Sequence, residues 1–441
     1  MSCRQTISLS QPEDFAVYDW GGIFESFWSG MDHNYLYWDI DPTDWEAVWY
    51  DYKPKFAALG NSLSADTVNA ALTYFEEMTR NFSDGHFVLL FDIDNDGHSD
   101  WFTDPANKRV NKRADSKALQ FTKSLWGRTA TDTTDTDTLG TTEANYNFFE
   151  HTIKNYLSLS EHRTNLISLD AFYGISGMRT KSGTGHISID STADPNDYIL
   201  YFYFSDFFWQ AEAFPNGEKG PTKATVSVVL KQFMNNLSND KNVKGIIMDV
   251  RGNSGGFNND VSFLLGPMLA EPLVIAKTRI KSGDGRLQYT PWSDYTIYPA
   301  PTSPTDPYGF DVKRSPNAGE IPVVLLVNEY SISCSELMAM AVQQMPKGYV
   351  VGQQTWGATG PRMDYTFYTN GGPFNAPLLR VIQAGWATQS VDGKNYEGLG
   401  ITPNESVLLD WTRFYGDGNG SGRDSQLEAA IKHIDPPHIM P

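Results

Sequence analysis

Residues 245–256, GIIMDVRGNSGG, decide the fold, because an apolar run ends there in a glycine-rich turn. The run from Gly245 to Val250 is typical of a strand buried on both faces. Glycine permits a positive φ and leaves the backbone N–H groups open to close approach. The turn therefore suits an anion or oxyanion site, or it is only a tight turn. It is not a P-loop, because the Lys-Ser/Thr ending is absent.

A second apolar run, Ile321 to Val327, predicts another buried strand. A polar, serine-rich turn follows, and a helix is predicted from about Ser335 to Gln344. A serine at such a junction has its hydroxyl at a helix N-terminus, where N–H groups converge and the dipole favours negative charge. This position suits a nucleophile whose attack creates an oxyanion. Simple N-capping by Ser331, Ser333 or Ser335 is the alternative.

The rest of the chain predicts further strands and helices in alternation. Such alternation, with continuously apolar strands, indicates an α/β fold with a largely parallel sheet covered by helices. A Thr/Asp-rich stretch, residues 131–142, is predicted to be an exposed loop. The other predicted elements are aromatic helices over residues 13–82, one of them N-capped by Ser64, strands at Phe87–Phe91 and Tyr198–Phe204, and a helix at Thr222–Leu237.

The composition excludes several classes of protein. The chain has 441 residues and a formal net charge of −19, and aromatic residues make up 13% of it. Disordered chains combine high net charge with few aromatic residues, so this chain is predicted to be globular. The sequence has no Lys/Arg run that could neutralise the phosphates of a nucleic acid. No apolar stretch reaches the roughly 18 residues of a membrane span.

Two further turns contain residues that could act in catalysis. His86 ends the turn Ser83–His86 just before a predicted strand, where it could be a base, a metal ligand or a surface residue. Glu397 lies in a Gly/Pro-rich turn, residues 396–404. Neither residue alone indicates a function.

Together and in this order, these segments resemble the tail-specific and tricorn-core serine peptidases, which include the C-terminal processing proteases and the retinoid-binding modules. The resemblance covers roughly residues 60–435. Its strongest matches are Met248–Gly256 to Asp-Leu-Arg-x-Asn-x-Gly-Gly, Val327–Glu336 to Val-Asn-x-x-Ser-Ala-Ser-Ala-Ser-Glu, Val351–Gly357 to Val-Gly-x-x-Thr-x-Gly, Glu397–Asn404 to Glu-x-x-Gly-Val-x-Pro-Asp, and residues 424–431 to the terminal helix.

The resemblance implies that Ser333 is the nucleophile, with Ser335 as the fallback. The processing branch of the family uses a Lys base just after Thr-x-Gly, and Ala358 stands at that place here. The tricorn-like branch uses a Ser-His-Glu triad instead, and His86 and Glu397 fit its other two roles. One departure is Gly85, because tricorn has a serine immediately before its histidine.

The chemistry of acyl transfer agrees with this assignment. His86 would take the Ser333 proton during attack and give it to the leaving amine, while Glu397 would orient the imidazole. The oxyanion would lie between the N–H of Cys334 and an N–H from Gly255 or Gly256. The sequence therefore predicts a serine-type peptidase that acts on peptides or unfolded protein segments. We expect no cofactor.

The resemblance also implies a ClpP/crotonase-like ββα core with a mostly helical N-terminal domain. We expect residues 1–86 to form that helical domain and to contribute the catalytic histidine. Residues 87–190 are expected to form an intermediate region, in which no peptide-binding PDZ module is recognisable. Residues 191–441 are expected to form the catalytic core.

Residues 92–100 resemble a calcium loop, and they repeat the Asp-Gly-His pattern with His98. Asp92, Asp94 and Asp96 stand at the first three ligand positions of such a loop. Thr103 replaces the bidentate glutamate at position 12, so the loop is incomplete. We interpret it as an Asp-rich surface turn, and we expect no structural metal.

Cys3 bears on localisation. The count of two cysteines, Cys3 and Cys334, does not indicate a disulfide scaffold. No export signal precedes Cys3, so it belongs either to an ordinary cytosolic start or to the mature, lipid-bearing start of an exported bacterial lipoprotein. The surface-type composition, rich in Asn, Thr, Ser and Tyr, favours export to the periplasm or cell envelope.

Two other functions compete with peptide hydrolysis. A non-catalytic binder of hydrophobic ligands or peptides could use the same fold, but it has no need of Ser333, His86 and Glu397 together. A crotonase-like acyl-CoA enzyme needs a basic site for the CoA phosphates, for which a chain of net charge −19 is a poor candidate.

Overall fold

The computed structural model describes residues 17–94, 99–106, 152, 155–156, 167–169, 180–192, 194–207, 223–303, 312–367, 378–415 and 422–437. The predicted loop at residues 131–142, and Cys3 and His98, lie outside these residues. Within the described part of the chain, no helix is both long enough and apolar enough to cross a membrane.

Three helices open the described chain: α1 (Trp20–Asn34), α2 (Trp45–Leu59) and α3 (Ala65–Thr79). Each begins with a side-chain cap, and the predicted cap Ser64 accepts the N–H of Thr67 at 3.4 Å. Val68, Leu72, Phe75 and Met78 of α3 are buried and pack against the aromatic residues of α1 and α2. The helical N-terminal region is thus confirmed.

The core is a seven-stranded sheet in the order β14-β10-β9-β6-β5-β4-β3. The run from β5 to β14 is parallel throughout, while β3 and β4 add antiparallel strands at one edge. Its strands are β3 (Ile167–Leu169), β4 (Thr180–Ser188), β5 (Tyr198–Phe204), β6 (Val243–Asp249), β9 (Val323–Val327), β10 (Gly348–Gly352) and β14 (Glu405–Ser406).

Helices cover both faces of this sheet. On one face lie α4 (Lys223–Asn239), α5 (Asn258–Leu265), the 3₁₀ turn Gly266–Met268 and α6 (Cys334–Gln344). On the other face lie α7 (Trp411–Tyr415) and α8 (Ser425–Ile434). Alternate residues of β6 and β9 point to opposite faces, which explains why the two strands are apolar throughout. The predicted α/β class is confirmed.

Two antiparallel sheets complete the structure. One has the order β13-β7-β8, and the other has the order β11-β12-β1-β2. In the second sheet Val88 of β1 pairs with Ile382 of β12, and this pairing brings the segment after His86 against the C-terminal half of the chain. The strands are β1 (Val88–Asp92), β2 (Trp101–Thr103), β7 (Leu273–Arg279), β8 (Ser293–Ile297), β11 (Arg362–Phe367), β12 (Leu378–Ala384) and β13 (Ala387–Gln389).

The three-part division at residues 86 and 190 stays a prediction. Strands β1 and β2 belong to the predicted intermediate region but share a sheet with β11 and β12 of the predicted core. Likewise β3 and β4 extend the seven-stranded sheet.

Candidate active site

Ser333 stands at the junction of β9 and α6 in an unusual backbone conformation. It is the N-cap of α6, with φ 58° and ψ −113°. Within the described residues it is the sole non-glycine residue with positive φ. Such a conformation is strained for a residue with a Cβ, and strain of this kind is concentrated at functional sites. Ser333 is also partly exposed, whereas the serines on either side of it are buried.

The neighbouring serines have structural hydrogen bonds. The hydroxyl of Ser331 donates to the carbonyl of Val250 at 2.8 Å, and that of Ser335 donates to the carbonyl of Asn253 at 3.0 Å. Both hydroxyls therefore join the serine turn to the glycine turn after β6. Ser333 is the serine of this turn whose position is consistent with a nucleophile.

The glycine turn lies directly against Ser333. A Cβ on Gly255 would lie 2.6 Å from Cβ of Ser333 and 3.1 Å from the nitrogen of Cys334. The N–H of Gly255 donates to Oδ1 of Asn253 at 2.8 Å, so it is already used. Neither the Gly256 nor the Cys334 N–H donates a hydrogen bond within the described part of the chain. These two N–H groups are the candidate oxyanion donors.

A buried network of charged side chains supports the glycine turn. Arg251 is fully buried and bonds Asp249 through Nε at 2.9 Å and through an Nη at 2.6 Å. Its other Nη contacts Asp424, the N-cap of α8, at 2.8 Å. Tyr201 donates its hydroxyl to Asp249 at 2.7 Å. The network therefore joins β5, β6 and α8 behind the turn.

Glu336 holds the serine turn from the first turn of α6. Its Oε2 accepts the N–H of Ser333 at 3.2 Å and the N–H of Ala358 at 2.7 Å. Its Oε1 accepts the hydroxyl of Thr355 at 2.6 Å and the N–H of Gly357 at 2.7 Å. Burial raises the pKa of Glu336 to about 7, although the hydrogen bonds from residues 355, 357 and 358 oppose this shift.

Glu397 is buried on the other side of the same turn. Its Oε1 accepts the N–H of Gly85 at 2.7 Å. Its Oε2 accepts both the N–H and the hydroxyl of Thr359, at 2.9 and 2.7 Å. Burial raises the pKa of Glu397, and the hydrogen bonds from Gly85 and Thr359 work in the opposite direction.

His86 lies beside Glu397. One ring nitrogen of His86 and one carboxylate oxygen each of Glu397 and Asp84 all lie within 4.8 Å of one another. The Nδ1 atom of His86 is buried and makes no hydrogen bond in this structure. Burial, assisted by the positive charge of Arg362, lowers the pKa of His86 to about 4. The ring is therefore neutral near pH 7, which is the state that a general base requires.

The departure at Gly85 has a steric cause. A Cβ on this residue would lie 2.0 Å from the carbonyl oxygen of Gly357 and 2.6 Å from Cα of Ala358. The carbonyl of Gly85 also accepts the indole N–H of Trp356 at 3.0 Å. The backbone before His86 is thus pressed against the turn that Glu336 and Glu397 hold, and a serine at position 85 would not fit.

Three residues of this region had no role in the sequence interpretation. Asp84 accepts the N–H of His86 at 2.7 Å and the N–H of Ala384 at 2.8 Å, so it anchors the histidine turn to β12. Glu336 follows Ser333 by three positions, and this capping-box spacing could have revealed it. The bond from Thr359 to Glu397 has no local sequence signal, because it joins two separate loops.

The structure describes part of the Asp-rich segment at residues 92–100, which was interpreted as a surface turn. Asp92, Asp94 and Asp100 each place a carboxylate oxygen within 4.8 Å of the other two. Oδ2 of Asp100 accepts the N–H of Ile93 at 2.6 Å. Exposed acidic groups often cluster without binding a cation, so the interpretation as a surface turn stays a prediction.

Two sequence comparisons match part of the chain. Residues 210–407 match the model of peptidase family S41. A curated relative, a carboxy-terminal-processing protease of Bartonella bacilliformis, is 27% identical over 211 residues. These residues are 48% of this chain and 42% of the relative, so the chain spans less than half of that protein's length.

Solved structures share the fold over nearly the whole chain. A protein of Parabacteroides merdae with a provisional peptidase assignment superposes with a TM-score of 0.56 at 18% identity, covering 96% of this chain and 97% of that one. Mature CPAF superposes with a TM-score of 0.51 at 11% identity, covering 94% of this chain and 98% of its own. At these identities the likeness concerns the fold alone.

Proposed function

We propose, from the peptidase family S41 assignment that the comparisons support, that the chain is a serine peptidase with Ser333 as its nucleophile. His86 is the general base and Glu397 the carboxylate that supports it, as in the tricorn-like branch. Ala358 occupies the position at which the processing branch has its lysine, and its small buried side chain offers no base. The substrates are peptides or unfolded protein segments.

In the proposed reaction, His86 removes the Ser333 proton as the hydroxyl oxygen attacks the scissile carbonyl. The negative charge that develops on the carbonyl oxygen is stabilised by the N–H groups of Cys334 and Gly256. His86 then protonates the leaving amine, and Glu397 stabilises the imidazolium. Water then attacks the acyl-enzyme as His86 removes its proton, and His86 returns that proton to Ser333 as the acid product leaves.

One observation supports this proposal above the others. Ser333 combines the φ of 58° with a position at the N-terminus of α6, against the glycine turn. A strand-to-helix turn with positive φ at the serine exposes the hydroxyl and aims the following N–H groups at the same point. A serine that only capped the helix would have no need of the strained conformation.

The proposal requires His86 to approach Glu397 more closely than in this structure, since Nδ1 makes no hydrogen bond here. Catalytic hydrogen bonds are often long without substrate and shorten in the complex. We expect binding of substrate or a transition-state analogue to shorten the distance between Nδ1 of His86 and Glu397.

The test is hydrolysis of a fluorogenic peptide library by the wild type, Ser333→Ala and Ser335→Ala, together with labelling by a serine-directed phosphonate. Ser333→Ala should lose hydrolysis and labelling, while Ser335→Ala should keep the label at position 333. Labelling that survives in Ser333→Ala and is lost in Ser335→Ala would move the nucleophile by two positions. Tight binding of hydrophobic peptides without turnover by the wild type would favour the non-catalytic binder.

Export and a lipid anchor at Cys3 are a separate part of the proposal. They rest on the sequence alone, because Cys3 lies outside the described residues. Fractionation of cells that produce the wild type or Cys3→Ser tests them. The wild type should fractionate with membranes, and the variant should be released from them.

A further inference from the structure

The proposed base and the two carboxylates beside it have the composition of a transition-metal site. Asp84, His86 and Glu397 offer one imidazole nitrogen and two carboxylate oxygens, mutually within 4.8 Å. We propose that this cluster binds one Zn²⁺ ion and that the bound ion holds the peptidase inactive. The binding is independent of the proposed function, whereas the inhibition rests on it.

The buried Nδ1 atom of His86 is an independent observation that points to a ligand. It makes no hydrogen bond within the described structure, although Asp84 and Glu397 are close to the ring. An unsatisfied buried polar atom is costly, and a metal ion is one of the partners that can satisfy it. The carboxylates of Asp84 and Glu397 are 0% and 2% exposed, so a divalent cation would also balance charge that water cannot reach.

Hydrogen bonds from the backbone orient both carboxylates. Oδ1 and Oδ2 of Asp84 accept backbone N–H groups at 2.7 and 2.8 Å, and Oε1 of Glu397 accepts one at 2.7 Å. A carboxylate oxygen has room for a second partner, and hydrogen bonds of this kind orient a ligand toward its metal. The backbone of Gly85 and Ala384 thus holds the two acids beside the ring.

The donor set selects zinc over the common hard cations. Zinc accepts imidazole nitrogen and carboxylate oxygen together, commonly with three protein ligands and one water. Calcium and magnesium prefer oxygen ligands alone. Atoms bound to one tetrahedral zinc lie about 3.3 Å apart, so small side-chain rotations would close the cluster. His86 and Ser333 are both partly exposed, so an ion can enter from the substrate side.

Inhibition follows from the identity of the ligands. Zinc bound to Nδ1 of the neutral His86 ring leaves the ring proton on Nε2, so the ring cannot accept the Ser333 proton, and a Glu397 bound to zinc cannot support an imidazolium. Removal of zinc by a chelator should therefore restore the proposed peptidase, with no covalent change in the chain.

The first experiment measures binding without any need for activity. The full-length Ser333→Ala variant is titrated with ZnCl₂ by calorimetry. We expect one zinc ion per chain, and a loss of at least about 10-fold in affinity when His86→Ala or Glu397→Gln is added. The matched control is His433→Ala, since His433 is exposed on α8 and stacks on Tyr349. Circular dichroism verifies that each variant is folded.

Asp100→Asn in the same background separates this cluster from the acidic group at residues 92–100, and it should leave zinc binding unchanged. Absence of zinc binding would overturn the proposed site, and so would zinc affinity in the His86→Ala and Glu397→Gln variants equal to that of Ser333→Ala alone. Binding that falls only in Asp100→Asn would overturn it as well.

The second experiment measures peptide hydrolysis by the wild type with ZnCl₂ and then with excess EDTA. We expect reversible loss of activity at the zinc concentrations that saturate the Ser333→Ala variant. Unchanged hydrolysis at saturating zinc would overturn the inhibition. If zinc binds through His86 but the metal-free wild type hydrolyses no peptide, the metal site stands and the proposed peptidase function fails.

Discussion

Glu336 and Glu397 accept the N–H groups of two consecutive residues, Ala358 and Thr359, at 2.7 and 2.9 Å. Glu336 also accepts the N–H of Ser333, and Glu397 also accepts the N–H of Gly85 beside His86. One two-residue segment of backbone therefore links the turn of the proposed nucleophile to the turn of the proposed base. The proposed nucleophile, Ser333, and the proposed base, His86, lie 247 positions apart in the sequence (333 − 86). Several predictions concern the groups that maintain this link.

We predict that Glu336 sets the acidic limb of the pH profile. Its neighbours are all donors, so the ionised carboxylate is the form that holds the serine turn, and protonation below pH about 7 should loosen that turn. Hydrolysis should therefore decline as the pH falls through about 7. The pKa of His86, lowered to about 4, would not produce this limb. The measurement is kcat/KM between pH 5 and 9, a range that includes the pKa of about 7.

Glu336→Gln is the variant that separates the two groups. Above pH 7, where the wild-type carboxylate is ionised, it should lower kcat by about 10-fold or more, because an amide N–H₂ must face other donors. It should also remove the inflection near pH 7. An inflection that persists in Glu336→Gln would assign the limb to a different group.

The raised pKa of Glu336 predicts that its contribution to stability, unlike the rate of hydrolysis, decreases as the pH rises. The folded state raises the pKa of Glu336 from 4.5 to about 7, so folding favours the protonated acid. The contribution of Glu336 to the free energy of unfolding should fall as the pH rises from 4.5 to 7 and remain constant above that, relative to Glu336→Gln. Urea unfolding of both proteins across this range measures the difference. A rising difference would contradict the direction of the shift.

Gly85→Ala should abolish most of the activity. The added Cβ would lie 2.0 Å from the carbonyl oxygen of Gly357, so the His86 turn must move away from the turn at residues 357–359. A displacement of about 1 Å at a catalytic group can cost about 100-fold in rate. The control is Gly285→Ala, whose nearest atoms belong to the side chain of Gln288 and can move aside. Equal kcat/KM for both variants would show that the close packing at Gly85 is unimportant.

The sequence predicted the local elements well, because their signals are local. Tyr198–Phe204 forms a strand with the predicted bounds, and α6 begins one residue before the predicted start at Ser335. Continuous apolar runs and capping residues suffice for such elements. The pairing of Val88 with Ile382 had no such signal, since it joins segments that are far apart in the chain.

The site was predictable in its motifs but not in its connections. Ser333, His86 and Glu397 were found by resemblance, and the structure brings His86 and Glu397 together. The assignment of all three roles remains a proposal. The bond from Thr359 to Glu397 depends on how two loops meet after folding, and no spacing in the sequence encodes it. Buried polar groups of this kind appear only once the packing is known.

Thr359→Val should lower kcat with little change in KM. It removes the hydroxyl that donates to Glu397 at 2.7 Å, while the backbone N–H of residue 359 still donates. A hydrogen bond to a charged group contributes about 1.5–3 kcal/mol, so we expect a loss of at least about 10-fold in kcat. Thr359→Ser restores the hydroxyl and should recover most of the rate. An unchanged kcat in Thr359→Val, which keeps the methyl group, would show that the hydroxyl bond to Glu397 is unimportant.

Arg251→Met should destabilise the whole core rather than the chemistry alone. It leaves the carboxylates of Asp249 and Asp424 buried, each 0% exposed, without the guanidinium that lies between β6 and α8. Removing one partner of a buried ion pair costs about 3–5 kcal/mol, and methionine fills most of the same volume. Urea unfolding should therefore show a loss of that order.

The control for Arg251→Met is Lys347→Met, which breaks an ion pair with Glu320 whose side chains are 47% and 78% exposed. Exposed pairs contribute about 0–1 kcal/mol, so this variant should unfold close to the wild type. Because Arg251 also anchors the turn that presents Gly256, residual activity of folded Arg251→Met should be low even at temperatures where it is stable. A loss in unfolding free energy no larger than that of Lys347→Met would mean that Asp249 and Asp424 find other partners, and that the network is not what fixes the glycine turn.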